Sequence, residues 1–223
     1  MTNKIIGIQG DKLDKINISS DTSIFLAHEA QTLGYKIFYY TPSNLSIIKN
    51  KTYANGVFVK LNYERKKFYK IYKKQKIDVE NFKFILIRQD PPFNSEYLIT
   101  TLILDNLKKT RVINNPVAIR NVSEKLYSKK FTKYMPNTIF SNNIEEVKKF
   151  YKQNKSIIMK PINGYGGNQI HLIKNKFNKK LITNFLKKNG HSMFQKFLKN
   201  ISKGDKRVFI INGKVCGAIS RVP

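Results

Sequence analysis

The chain has 223 residues and a formal net charge of +28, and 41% of its residues are hydrophobic. This apolar content excludes a disordered chain and suffices for one large domain or two smaller ones. No apolar run approaches the roughly 20 residues that span a bilayer, and no signal-peptide pattern opens the sequence, so we expect a cytoplasmic protein without a membrane partner. The single cysteine, Cys216, excludes an internal disulfide and is predicted to be a small core residue.

The positive charge has three interpretations that the composition leaves open. Lysines are spread along the whole chain and far outnumber arginines, which is typical of the amino-acid mix encoded by an AT-rich genome. The alternatives are a basic stripe that binds RNA and a general attraction of anionic small molecules.

Strand-like and helix-like segments alternate over the first half of the chain. The predicted strands comprise residues 4–9, 35–40, 57–61, 82–88 and 111–113. Such an alternation predicts right-handed crossovers and a mostly parallel sheet, with ligands expected beyond the carboxyl ends of the strands.

Three helices are predicted between these strands. Asp21 is expected to cap the first, which ends at Gly34 and whose apolar face carries Ile24, Phe25, Ala27 and Leu33. A lysine-rich helix is expected up to about residue 76, after a turn at Asn55-Gly56. The third begins at Ser95 and Glu96 and is expected to turn inward Leu98, Leu102 and Leu107.

A proline-containing loop follows the fourth strand. It contains Arg88, Asp90, Pro91 and Pro92, at a strand end where a ligand is expected. Two interpretations stay open: the loop grips a substrate, or the prolines stiffen a turn while Asp90 caps the next helix.

From about residue 122 the segments become shorter, and several can pair as hairpins. The predicted helices comprise residues 123–130, 142–153 and 179–188, and the predicted strands comprise residues 138–140, 156–161, 169–173, 192–198, 207–211 and 214–222. Asn212-Gly213, between the last two strands, is the preferred pair for a type I′ hairpin turn.

A glycine-rich loop lies between two of these strands, just after Lys160-Pro161. Glycines allow successive backbone N–H groups to converge on phosphate oxygens, but a phosphate loop of the Walker type passes from a strand to a helix. The sequence therefore predicts a flap between antiparallel strands, which can cover a triphosphate while Lys160 neutralises its charge; a plain hairpin loop is the alternative.

Five motifs, taken in order, resemble those of the bacterial (prokaryotic-type) glutathione synthetases, which are ATP-grasp ligases. They are Arg88-Gln89-Asp90-Pro91-Pro92-Phe93, Asn114-Asn115-Pro116 followed by Asn121 and Glu124-Lys125-Leu126, Met159-Lys160-Pro161 with Gly164-Tyr165-Gly166-Gly167, Gly204-Asp205-Lys206-Arg207-Val208, and Arg221-Val222-Pro223. The resemblance covers essentially the whole chain. It implies an α/β fold in which a Rossmann-like N-terminal domain (residues 1–121) precedes an incomplete ATP-grasp domain with a mixed or antiparallel sheet, its first lobe at 122–200 and the start of its second at 201–223.

The resemblance also implies roles for individual residues. The residues implied to bind ATP are Lys125 and Lys160 at the phosphates, Asn163, Gly164, Tyr165, Gly166 and Gly167 in the mobile covering loop, Gln195, Lys196, Phe197 and Leu198 in the hinge strand at the adenine, and Asp205 near the ribose. Arg207 and Arg221 are the implied catalytic groups. A guanidinium suits this role because it can donate hydrogen bonds to two oxyanion oxygens at once. Arg88, Asp90, Pro91 and Pro92 are the candidates for the dipeptide.

The implied reaction joins γ-glutamylcysteine to glycine through an acyl phosphate, with ATP and Mg²⁺ or Mn²⁺. In the resembled family the metal ligands follow the position of Pro223, so we assign no metal ligand here and expect a truncated record, a split gene product or a decayed copy. The three histidines receive no catalytic or metal role. We expect small-molecule substrates and no nucleic-acid partner, and a homo-oligomer stays an open option; the alternatives are another ATP-grasp carboxylate–amine ligase and a noncatalytic basic RNA-binding protein.

Overall fold

The structure is a computed structural model that describes residues 4–19, 21–62 and 67–222. The chain divides into two compact units, Met1–Ser123 and Glu124–Pro223. No helix in the described part of either unit has both the length and the apolar content to cross a membrane.

Unit 1 is built on one seven-stranded mixed sheet with helices on both faces. Its elements are β1 (Ile5–Gln9), α1 (Thr22–Thr32), β2 (Lys36–Tyr40), β3 (Leu45–Ile48), β4 (Lys51–Leu61), β5 (Tyr69–Asp78), β6 (Phe84–Ile87), α2 (Ser95–Asp105), β7 (Arg111–Ile113) and α3 (Pro116–Asn121).

The prediction of a parallel sheet is correct for four of these strands. The strands β2, β1, β6 and β7 lie side by side and run parallel, whereas β3, β4 and β5 add an antiparallel half beyond β2. The chain leaves β1 toward β2 on one side and later returns to β6 on the other. The carboxyl ends of β1 and β6 therefore form a topological switch point, where open α/β sheets bind ligands.

Alternation along the strands divides the core of unit 1 between the two faces of the sheet. Ile6 and Ile8 pack with Ile24 and Ala27 of α1 on one face. On the other, Ile85 belongs to a cluster that contains Phe38 and Leu104 of α2. Each helix thus covers one face of the parallel half.

Two predictions about the antiparallel half are wrong. Asn55-Gly56 lies inside β4, not in a turn, because the two residues pair with Lys76 and Gln75 of β5. Position 56 needs a glycine because a Cβ there would come within 2.5 Å of the Tyr39 carbonyl oxygen on β2. The lysine-rich segment is β5, paired with β4 along residues 69–78; residues 63–66 lie outside the described part. Ladder pairing along β4 outweighs the helix propensity of lysine, which is a weak preference.

The helix faces were also only partly predicted. Asp21 caps α1 by accepting the Ile24 N–H (2.8 Å), but Phe25 and Leu33 are exposed, the latter by 73%. In α2 the predicted Leu98 and Leu102 are exposed, although Leu107, just beyond the helix, does pack against the core.

The buried side of α2 contains Thr100, Thr101 and Leu104. The two hydroxyls donate to carbonyl oxygens one turn earlier, at 2.9 and 2.7 Å, which allows threonine to be buried without losing hydrogen bonds. Hydrophobicity alone therefore indicated the wrong face.

Unit 2 contains a four-stranded antiparallel sheet and a separate hairpin. Its elements are β8 (Thr138–Ser141), α4 (Ile144–Asn154), β9 (Ile157–Pro161), β10 (His171–Ile173), α5 (Lys179–Asn189), β11 (Ser192–Lys196), β12 (Asp205–Ile211) and β13 (Lys214–Arg221).

The four strands follow the order β10-β9-β11-β8, and both helices pack on the same face. As predicted for α4, Val147 and Phe150 are buried, together with Ile182 and Phe185 of α5, against Met159 and other strand residues. The predicted helix at 123–130 is wrong in its first half, since a 3-10 helix, Tyr127–Tyr134, begins only after a turn. The hydroxyl of Ser128 donates to the Lys125 carbonyl there, which competes with α-helical bonding.

The last two strands form an antiparallel hairpin whose described residues are exposed. Asn212 (φ 50°) and Gly213 (φ 77°) have the positive φ values of the predicted type I′ turn. Cys216 is exposed as well, so its predicted place in a core is wrong: nothing in the described part covers either face of this ribbon.

Candidate functional site

The predicted flap connects β9 and β10, which pair antiparallel. Its glycines are required for two different reasons. Gly166 and Gly167 have φ values of 59° and 74°, which side chains rarely adopt. At Gly164 a Cβ would lie 2.4 Å from Cγ of Pro161. The turn is therefore closed tightly over the end of β9.

Lys125 holds this flap from outside the sheet. Its ammonium donates to the carbonyl oxygens of Ile162 (3.3 Å) and Gly164, and its side chain is only 13% exposed. Glu124 approaches the same ammonium at 3.6 Å. Both carbonyls belong to residues just after Lys160-Pro161, so Lys125 lies at the base of the loop.

Lys160 lies on the sheet face opposite the two helices. Burial lowers the pKa of its partly buried ammonium, the nearby Lys125 ammonium lowers it further, and Glu124 opposes both. Its Nζ donates to Oε1 of Gln195 at 3.2 Å. Two ammonium groups and the glycine flap thus converge in one region of unit 2, an arrangement suited to an anion.

The strand register identifies the neighbours of Lys160 on this face. Met193 on β11 lies directly opposite it, Gln195 lies two residues farther along, and Thr138 on β8 lies opposite Gln195. Met159 and Phe194, which alternate with these residues, belong to the helix-covered core. The sequence prediction missed Thr138 and Met193; the period-2 alternation of β8 and β11 was the signal that could have indicated them.

The hinge segment is shorter than predicted, because β11 ends at Lys196. The N–H groups of Lys196 and Phe197 donate to the carbonyls of Asn137 (2.8 Å) and Ser156 (3.0 Å). Those two donors are therefore engaged within the protein, and Leu198 is exposed.

On the hairpin, Arg221 and Asp205 bind each other across the strand pair. Nε of Arg221 donates to Oδ1 of Asp205 at 2.6 Å, and Nη2 donates to Oδ2. This hydrogen bonding, followed by the charges of Arg221 and Arg207, lowers the pKa of the Asp205 carboxyl. The structure thus pairs two residues for which the resemblance implied separate roles.

In unit 1, Arg88 follows β6 at the switch point. Its guanidinium donates through Nε to Ser23 (3.0 Å) and through Nη2 to Thr22 (2.8 Å), the first residues of α1. These hydroxyls fix the plane of the guanidinium, and the sequence prediction missed them because they lie 65 and 66 residues away.

Asp90 does not cap α2, so the capping part of the second interpretation is wrong: Asn94 accepts the Tyr97 N–H at 3.0 Å instead. The Asp90 N–H donates to Oδ2 of Asp11 at 2.8 Å. Burial, and then the carboxylates of Asp11 and Asp21, raise the pKa of Asp90, whereas Arg88 lowers it. Pro91 and Pro92, which follow, are joined by a cis peptide bond.

The described residues do not form a site for a divalent cation. Within 4–19, 21–62 and 67–222, no three His, Cys, Asp or Glu side chains are arranged to hold a metal ion. Asp205 is engaged by Arg221, and the acidic residues near Arg88 do not form such a group.

Family comparison decides the class of the protein. The model of the prokaryotic glutathione synthetase N-terminal domain matches residues 5–120, and that of the same family's ATP-grasp domain matches residues 124–223. The chain belongs to the prokaryotic glutathione synthetase family. The glutathione synthetase of Mesorhizobium japonicum is 36% identical over 98% of this chain and 71% of the relative.

Solved structures agree on the fold of this glutathione synthetase family member. A D-cycloserine synthetase aligns with a TM-score of 0.64 at 13% identity, over 98% of this chain and 68% of the other. A RimK-domain ATP-grasp protein from Sphaerobacter thermophilus aligns with a TM-score of 0.62 at 11% identity, over 97% and 72%. The predicted α/β fold with an ATP-grasp portion is confirmed.

Family membership also establishes the class of reaction. A glutathione synthetase is a carbon–nitrogen ligase that forms glutathione with ATP, and ATP-grasp ligases use ATP with a divalent metal. The predicted ligase class is thereby confirmed; the roles of individual residues and the predicted domain boundaries stay predictions.

Proposed function

We propose that this chain joins γ-glutamylcysteine to glycine and that Lys125, Lys160 and the flap bind the triphosphate of ATP. The observation that carries the proposal is the convergence of the two ammonium groups at the base of the glycine loop. Their mutual repulsion is unfavourable without an anion, and a bound phosphate chain would relieve it.

The chemistry requires no protein nucleophile. A carboxylate oxygen of γ-glutamylcysteine attacks the γ-phosphorus of ATP, and ADP leaves, which yields an acyl phosphate. The glycine amine then attacks the acyl carbon, loses a proton and expels phosphate. The contribution of the protein is positioning and charge neutralisation, as in other phosphoryl transfers.

Several segments of unit 2 have proposed roles in this reaction. Lys125 and Lys160 neutralise phosphate oxygens, while residues 163–167, with Tyr165 at the centre, cover them and exclude water. Gln195, Lys196, Phe197 and Leu198 adjoin the adenine, and Asp205 the ribose. Arg207 and Arg221 face the reacting groups, a role that requires Arg221 to exchange its bond to Asp205 for a substrate oxyanion.

For the dipeptide, we propose the loop that contains Arg88 and Asp90. Arg88 is oriented by Thr22 and Ser23, and an oriented guanidinium suits a substrate carboxylate. Asp90 provides an opposite charge beside it, which matches the ammonium group of a zwitterionic γ-glutamyl moiety. Pro91 and Pro92 would shape this surface.

The deciding experiment measures ADP release by the purified chain with ATP, Mg²⁺, γ-glutamylcysteine and glycine, and glutathione by mass spectrometry. We expect sustained ADP release only when γ-glutamylcysteine and glycine are both present, with one glutathione formed per ADP, and loss of both products in Lys160→Met. Mn²⁺ in place of Mg²⁺ tests the metal preference. ADP release with a different acid and amine, but not with these two, would assign another ATP-grasp reaction.

The composition leaves one alternative function to test. The net charge of +28 would attract the phosphate groups of RNA, and this attraction weakens as the salt concentration rises. Salt-sensitive RNA binding, combined with no protection from proteolysis by ATP, would support that function and contradict the ligase. We propose neither a nucleic-acid partner nor a defined oligomer, and the cytoplasmic location stays a prediction.

A further inference from the structure

Three polar side chains form a continuous chain of hydrogen bonds across the face that contains Lys160. The Thr138 hydroxyl donates to the Pro136 carbonyl at 2.7 Å. Nε2 of Gln195 donates to the Thr138 oxygen at 2.9 Å, and Oε1 of Gln195 accepts from Lys160 Nζ at 3.2 Å.

The direction of each bond follows from the first one. Because the Thr138 proton is committed to a backbone carbonyl, only lone pairs of its oxygen face Gln195. The Gln195 group beside Thr138 must therefore be the NH₂ group, and the carbonyl end of the amide must point to Lys160. A glutamine turned the other way would present donors to an ammonium.

The backbone makes this arrangement rigid. Thr138 lies directly opposite Gln195 in the β8–β11 ladder, and Lys160 lies on the adjacent strand β9, opposite Met193. Thr138 and Lys160 are thus separated by one strand and bridged by one side chain. All three residues are partly buried, so water competes less effectively for these bonds than at an open surface.

We propose that Thr138 is a positioning residue for Lys160: through Gln195 it directs an acceptor oxygen at the ammonium and holds that ammonium where the nucleotide phosphates bind. The link to the nucleotide phosphates rests on the proposed function, whereas the orientation of the acceptor oxygen toward the ammonium does not. Thr138 touches neither the ammonium nor, in this proposal, the nucleotide. Gln195 accordingly acts through its side chain on Lys160, in addition to its place beside the adenine.

The charges around Lys160 explain why a hydrogen-bond acceptor beside its ammonium is stabilising. Lys125 repels the Lys160 ammonium and Glu124 attracts it, while Lys125 is itself bound to flap carbonyls. The Gln195 oxygen offsets part of the cost of keeping a second ammonium partly buried beside the first. Without it, the Lys160 ammonium would stay partly buried with one hydrogen-bond acceptor fewer, and its charged form would be less stable.

The test compares Thr138→Val, which keeps the β-branched shape but removes the hydroxyl, with Thr138→Ser, which keeps the hydroxyl. The first readout needs no nucleotide: the rate at which an amine-reactive reagent labels Lys160, followed by mass spectrometry across alkaline pH. We expect Thr138→Val to shift the titration of Lys160 to lower pH, and Thr138→Ser to match the wild type. Circular dichroism confirms that each variant is folded.

A double-mutant cycle separates positioning from a general structural effect. In Gln195→Leu the bridge is absent, so adding Thr138→Val should produce no further shift in Lys160 labelling. If Thr138→Val leaves the labelling profile of the wild type unchanged, or shifts it equally with and without Gln195, the positioning role is refuted.

The second readout is the affinity for ATP, measured calorimetrically with Mg²⁺. We expect Thr138→Val to weaken this affinity about three- to tenfold, the range of a lost uncharged hydrogen bond. Thr138→Ser, which keeps the hydroxyl, should have the affinity of the wild type. If the wild type binds no ATP, the proposed function fails while the labelling experiment still decides the positioning role. If ATP binds equally to all variants, the link from Thr138 to the nucleotide is wrong.

Discussion

The Lys125 ammonium donates a hydrogen bond to the Gly164 carbonyl, so the residue proposed to meet phosphate is held by the loop proposed to cover it. The ammonium has three N–H donors, of which the Ile162 and Gly164 carbonyls take two, so a triphosphate oxygen can accept the third or displace one of these carbonyls. Since the carbonyls belong to the flap itself, nucleotide binding and flap conformation are coupled through one side chain.

Replacing Lys125 by methionine should affect both properties. We expect faster amide hydrogen exchange across residues 162–168, because the loop loses its clamp, and ATP affinity reduced at least about tenfold, because a charged hydrogen-bond donor is lost. Exchange mass spectrometry and calorimetry measure these effects. Lys129→Met, at a nearby exposed position, is the matched control; equal behaviour of the two variants would contradict the clamp.

The hydrogen bonds that the Glu80 carboxylate accepts predict that the stability of unit 1 depends on pH. It accepts the N–H groups of Lys108, Lys109 and Thr110 at 2.6, 2.9 and 2.9 Å. Burial opposes ionisation, but these bonds outweigh it and lower the pKa of the carboxyl. Its stabilising contribution is therefore complete above the unfolded pKa of 4.5 and is lost as pH falls through the lower folded pKa.

Glu80→Gln should cost about 1 kcal/mol at neutral pH, since the amide replaces one acceptor oxygen with a donor. The difference from the wild type should vanish in acid, which urea titrations monitored by circular dichroism at several pH values can measure. Glu96→Gln, at an exposed position, should change stability by only a few tenths of a kcal/mol. A pH-independent loss in Glu80→Gln would argue against this account.

Asp90 should behave in the opposite way. Burial and two neighbouring carboxylates raise its pKa, so its charge destabilises the folded state above the folded pKa, and the cost disappears as pH falls to its unfolded pKa of 3.8. We expect Asp90→Asn to raise stability at pH 7 by at most about 1 kcal/mol, because the carboxyl is largely exposed, while weakening dipeptide binding. Thermal unfolding at pH 7 and pH 3 checks this, with Asp14→Asn as the exposed control; greater stabilisation at pH 3 would refute it.

A glycine is required at position 56 because β4 and β2 approach each other closely there. In Gly56→Ala the new methyl group would lie 2.5 Å from the Tyr39 carbonyl oxygen, so β4 must move from β2, at a cost of about 2 kcal/mol or more. Gly217→Ala has nothing within 4 Å of its Cβ and should stabilise by a few tenths of a kcal/mol. Urea midpoints compare them, and an unchanged midpoint for Gly56→Ala would show that the sheet accommodates the methyl group.

Local chemistry explains which elements the sequence predicts well. Asp21 caps α1, Asn212-Gly213 forms its turn, and the apolar face of α4 is buried, because each depends on residues within a few positions of one another. The errors depend on distant partners. Position 56 lies in a strand because Gln75 on β5 pairs with it, and residues 69–78 form a strand because β4 offers them an edge to pair with.

The family, the α/β class and the two lysines and glycines of the flap can be predicted from the amino-acid sequence, since ordered motifs of chemically specific residues identify them. The contacts of those residues became known from the fold: Lys125 binds Gly164, Thr22 and Ser23 hold Arg88, and Thr138 reaches Lys160 through Gln195. The physical reason is that hydrogen bonds depend on distance in space, and these partners lie between 35 and 66 residues apart along the chain.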